Sequence, residues 1–72
     1  MKMQNSGTAK VVSNPGILGG MPVVEGTRVP AANVMAEVTA GKSKYDIFES
    51  YPTLPLDGVE ACIQWDKMGR PQ

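Results

Sequence analysis

Asp57, Glu60, Cys62 and Asp66 lie close together in the sequence, three carboxylates around one thiol. Converging carboxylates can hold a divalent metal or relay protons, and a thiolate can act as a nucleophile. The residues around them do not build that chemistry. The chain has no histidine, the commonest general base and metal ligand. A single cysteine excludes the common zinc sites and any disulfide within the chain. Cys62 has no adjacent basic residue to favour its thiolate, so it reads as a buried structural thiol. The acids share a helical stretch with Lys67 and read as a solvated face. No catalytic residue, metal site or cofactor is assigned, and the chain is not read as an enzyme.

The stretch GGMPVVEGTRVP, residues 19–30, poses a second chemical question. A phosphate loop needs four residues between its first glycine and a Gly-Lys-Ser/Thr group. Here five residues separate Gly20 from Gly26, and Thr27 follows Gly26 with no lysine between them. Two β-branched pairs and Pro22 also make a poor cradle of N–H groups. The same residues suit a short β-ribbon. Val23 and Val24 favour one strand, Thr27, Arg28 and Val29 another, and Glu25-Gly26 is the turn. An isolated hairpin is marginal in water and its edges invite another chain. Val23, Val24, Gly26, Thr27, Arg28 and Val29 are therefore the candidate dimer ribbon.

The remaining elements are mostly helical. Residues 1–10 are polar and patternless and read as an N-terminal tail. Val11-Val12 is a short β-prone pair, and Ser13 to Gly16 form a turn with Ile17 and Leu18 as anchors beneath it. Ala31, Val34, Met35 and Val38 follow a helical period, with Pro30 at the start and Gly41 at the end. Ser43 and Asp46 match a capping box opening a second helix over about 44–50, with Ile47, Phe48 and Tyr51 inward and Pro52 as its stop. A third helix is expected from Pro55 or Leu56 to about Met68, with Leu56, Val59, Cys62 and Ile63 on its core face. Gly58 in its first turn costs about 1 kcal/mol relative to alanine. A second apolar stripe, Gly58, Ala61, Trp65 and Met68, is left for a partner, unless the tail or the ribbon folds over Trp65. Residues 11–69 make one mainly α domain with three helices, helix-turn-helix-like, preceded by a short β-ribbon; residues 70–72 are the C-terminal end.

Charge restricts the partner. Seven basic and seven acidic residues give a formal net charge of zero. A stand-alone nucleic-acid binder carries a positive excess. The third helix opens with Asp57 and Glu60, where a DNA reader needs cations or amides. Lys42, Lys44 and Gln64 are the candidate DNA contacts. A domain this small rarely supplies more than about 3–5 kcal/mol by itself, so a homodimer or another protein is the expected stabiliser. No apolar run approaches the ~18 residues of a membrane span, and residues 1–10 lack the apolar centre of a secretory signal. A cytoplasmic protein is expected.

The segment from Asn14 to Leu54 resembles the small bacterial family known as domain of unknown function 433. The resemblance rests on Asn14-Pro15, Gly19-Gly20-Met21-Pro22, Gly26-Thr27-Arg28-Val29-Pro30, Gly41-Lys42-Ser43 and Tyr51-Pro52. It covers roughly residues 11–63. Asn14 stands where the family usually has Asp. Lys44-Tyr45, Pro55 and Gly58 depart from it as well, the last two at the start of the third helix.

The resemblance implies a helix-turn-helix-like, antitoxin-like protein whose partner is a PIN-like nuclease toxin. Binding would silence the nuclease, with repression of the shared promoter through operator DNA as an added role. Trp65 and Met68 would anchor that partner, and Lys67 or Arg70 would enter its acidic, metal-binding cleft. A stand-alone transcriptional regulator is the first alternative. A structural module or accessory subunit of a larger assembly is the second.

Overall fold

Adjacent valines occur twice in the chain, and these two pairs form the sheet. In the computed structural model, which describes residues 9–71, β1 (Val11–Val12) runs antiparallel to β2 (Val23–Val24). Val11 faces Val24 and Val12 faces Val23. The ladder extends one residue further, where the Glu25 N–H donates to the Lys10 carbonyl at 2.8 Å. The other edge of β2 is also occupied. Val23 bridges to Pro30, and the Val24 N–H donates to the Val29 carbonyl at 3.0 Å.

This corrects the expected pairing of Val23-Val24 with 27–29. The main partner of β2 is β1, and residues 27–28 curl instead of extending. Thr27 causes the curl. Its N–H and its hydroxyl both donate to the Val24 carbonyl, at 3.0 and 2.7 Å. The same hydroxyl accepts the Val29 N–H at 3.0 Å. Gly26 supplies the left-handed φ of +83° that the turn requires. Val23 and Val24 are consequently fully buried, and Val29 is buried beside them.

Three helices follow: α1 (Ala31–Thr39), α2 (Lys44–Ser50) and α3 (Gly58–Lys67). α1 buries Ala31, Val34 and Met35, with Val38 half-buried at the margin. Its end is closed by two bonds, Gly41 N–H to Val38 O and Lys42 N–H to Glu37 O, each 3.0 Å. This is the Schellman pattern. α2 starts at the expected capping box. The Ser43 hydroxyl accepts the Asp46 N–H at 3.1 Å, and the Asp46 carboxylate accepts the Ser43 N–H at 3.3 Å. Ile47 is buried, while Phe48 and Tyr51 are half-buried.

α3 packs chiefly against α1 and completes the core. Val24, Val29, Ala31, Val34, Met35, Ile47, Leu54, Val59, Cys62 and Trp65 form one apolar cluster. α3 begins later than expected, at Gly58. Leu56 precedes the helix and is 88% exposed, so it takes no part in the core face. Gly58 itself has a packing role. A Cβ there would lie 2.7 Å from Leu54 Cδ2 and 3.3 Å from Pro55 Cδ. The missing side chain lets the buried Leu54 close over the start of α3. No helix among the described residues is long and apolar enough to cross a membrane.

Removing the α2 cap tests how much the small middle helix contributes. Ser43→Ala is expected to cost about 1 kcal/mol and to lower Tm by roughly 4–8 °C in a domain of this size. Ser43→Thr should recover most of that loss in a thermal melt.

Candidate functional site

Four residues near the C-terminal end were expected to form one partner surface, and the structure separates them. Trp65 is only 5% exposed and belongs to the core. Its indole N–H donates to the Pro71 carbonyl at 2.9 Å. The Arg70 guanidinium lies over the ring, 5.2 Å from its centroid, where a cation is attracted to the π face. Arg70 Nε also reaches Asp66 Oδ1 at 2.6 Å, and the Arg70 N–H donates to the Trp65 carbonyl at 3.0 Å. Arg70 is thus a clamp on the end of α3 and not the free cation at a loose end that was expected. Met68 and Lys67 do remain at the surface.

Helical geometry explains the correction. At about 100° per residue, Trp65 lies about 60° from Cys62, within the same broad face. Counting the core face from Leu56 displaced it, because Leu56 is outside the helix. The buried side of α3 is Gly58, Val59, Cys62 and Trp65. Its outward side carries Glu60, Gln64 and Lys67.

That outward side is electrostatically self-contained. Lys44 Nζ, from the first turn of α2, forms an ion pair with Glu60 Oε2. The hydrogen bond from Lys44 holds the Glu60 carboxyl below its ordinary value, against a smaller opposing effect of desolvation. Both side chains are about half exposed, so the pair adds little stability. Lys44 is thus paired with an acid rather than left as a lone surface cation. Lys42 and Gln64 are exposed at separate places.

The candidate dimer ribbon is likewise divided. Val23, Val24 and Val29 are core residues. Gly26 and Arg28 are exposed and Thr27 is half-buried. Arg28 has no carboxylate partner among the described residues. It lies beside a shallow depression of about 530 Å³ formed with Ile17, Gly26, Thr27 and Thr53.

A second concavity, about 150 Å³, lies between β1 and the C-terminal half of α3. Val11 forms one wall, with Ala61, Gln64, Trp65 and Met68 opposite. Three of the expected contact residues therefore do share a feature, but with Trp65 as its floor. Sequence reasoning missed the β1 wall. The signal was the Val11-Val12 pair, matched in length and character to Val23-Val24.

Residues 11–65 match the family described as "Protein of unknown function (DUF433)". The chain belongs to the DUF433 family. Its matched segment runs from β1 through Trp65, the last core residue, and so leaves Lys67, Met68 and Arg70 beyond it. An uncharacterized protein, y4eO, of Sinorhizobium fredii is 49% identical over 49 residues, which cover 68% of this chain and 22% of that relative. The DUF433 chain thus spans only a small part of that longer protein. No solved structure matches the chain significantly. Read on the structure, the Gly-Thr-Arg signature has two internal duties and one outward group: Gly26 turns the chain, Thr27 locks the turn, and Arg28 faces solvent.

Cys62 is the one nucleophile with a measurable consequence. It is fully buried, and desolvation pushes its thiol up from 9.0 to about 11. A raised thiol pKa supports the folded state below pH 9, and this support is lost as pH climbs towards 11. Alkylation by iodoacetamide at pH 8.5 should be on the order of 100-fold slower in the native chain than in denaturant, from thiolate fraction alone. Cys62→Ala should flatten the decline in stability between those two pH values; an unchanged decline would assign it to another group.

Proposed function

We propose that the chain is a non-catalytic, antitoxin-like binding protein that silences a PIN-like nuclease by contact, acting as a homodimer in the cytoplasm. The observation that carries this reading is the Lys44–Glu60 pair. It neutralises the best-placed cation beside α3 and leaves the outward helix face of Glu60, Gln64 and Lys67 without a positive excess. A phosphate backbone gains little from such a face, whereas a protein partner can use it. The family resemblance supplies the class of partner.

The details of contact move with the structure. Trp65 and Arg70 stabilise α3 from within. Lys67 and Arg28 are the cations free to enter an acidic cleft, and Met68, 60% exposed, is the apolar contact. Dimer contact through the ribbon is confined to its turn, Gly26 and Thr27, if Arg28 serves the cleft.

A stand-alone DNA-binding regulator is the second reading, favoured by the α2–turn–α3 order and by exposed Lys42 and Arg28. Promoter repression would use the same surface.

The test is co-expression of the tagged chain with the PIN-like nuclease of its own source cells. The proposal expects a stoichiometric complex, loss of RNA cleavage and restored growth. A nuclease that stays fully active at saturating chain contradicts it. Operator binding that falls steeply with salt, without any nuclease complex, would replace it with the second reading.

A further inference from the structure

β1 has one paired edge and one open edge. The Val24 N–H is taken by Val29 and its carbonyl by Thr27. Val11, opposite Val24, therefore exchanges no hydrogen bonds with it, and the peptide groups of Val11 point away from β2. Ala9, two residues earlier, points the same way, and its N–H donates to the Asp57 carboxylate at 3.0 Å. The edge is thus closed at Ala9 and open at Val11, whose N–H and carbonyl have no partner among the described residues. A half-buried peptide group without a partner is costly, and an open strand edge is a template for another strand.

The open edge meets the groove of about 150 Å³ walled by Ala61, Gln64, Trp65 and Met68. Lys10, which also lines it, is exposed and has no carboxylate partner among the described residues. We infer that Val11 and this groove take an extended segment of a partner protein as an added strand, with a small apolar side chain over Trp65 and a carboxylate at Lys10. This deepens the protein-binding reading and rests on it. Each feature sets one property of the occupant. The Val11 peptide groups require an extended backbone. The volume holds about one small side chain. Gln64 offers an amide to a second peptide group, and Lys10 selects an acid.

The experiment selects displayed random heptapeptides against the full chain, then measures the enriched peptides by Trp65 fluorescence. Enriched peptides should pair an acid with a small apolar residue. N-methylation of the pairing amide should weaken them at least about 10-fold, the loss of one hydrogen bond. Ala61→Arg, which fills the groove, should abolish binding, and Lys10→Glu should remove the preference for an acid. Circular dichroism checks the fold of Ala61→Arg; if that variant unfolds, the N-methylated peptides decide. The inference is overturned by no enrichment, by equal binding to Ala61→Arg, by indifference to N-methylation, or by a chain dimer in sedimentation that Ala61→Arg dissolves. A nuclease complex indifferent to Ala61→Arg would sink this site and leave the proposed function standing. Groove-dependent peptide binding without any nuclease complex would do the reverse.

Discussion

Every backbone polar group of Val24 is committed, and much of the structure depends on that. Its N–H goes to Val29, while its carbonyl accepts both the N–H and the hydroxyl of Thr27. β1 occupies the opposite edge. A two-residue strand would not persist in water alone. Here it is paired on both sides and covered by helices, so it can bury two valines completely. α1 leaves directly from the Pro30 bridge, which fixes where the first helix starts relative to the sheet. α3 then packs on α1 and on both strands.

The same arrangement reverses the roles of two residues that look functional in isolation. A tryptophan and an arginine near the end of a helix resemble an interface anchor and its charge partner. In this fold they hold the end of α3 together, through the Pro71 carbonyl, the stacked guanidinium and Asp66. What stays at the surface among the described residues is less conspicuous: the open peptide unit at Val11, a small groove, and the cations of Lys10, Arg28, Lys42 and Lys67. The Lys44–Glu60 pair takes Lys44 out of that set.

Local signals in the sequence were legible because their causes are local. The Ser43–Asp46 capping box involves side chains three residues apart, and the α1 face follows a simple period. The three helices and the presence of an N-terminal ribbon could be read for that reason. The pairing of β2 could not, because both of its edges are used: β1 takes one, and on the other Thr27, using its hydroxyl twice, curls residues 27–28 out of an extended strand. Gly58 looked like a cost in a helix and proves to be room for Leu54, a contact that propensity does not contain. The face of α3 was misplaced by a single residue, Leu56, which shares the apolar character of the helix but not its conformation. The site suffered most from this error, since Trp65 moved from surface to core.

The burial of Trp65 is therefore the feature to measure first. It is the only tryptophan in the chain, so its fluorescence is unambiguous. Emission and acrylamide quenching should be measured on the full chain alone, in native buffer and in denaturant. A buried ring gives a blue-shifted native emission and weak quenching, both lost together on unfolding. Native emission at the wavelength of the unfolded chain, with quenching just as strong, would put the ring in water and return Trp65 to the partner surface.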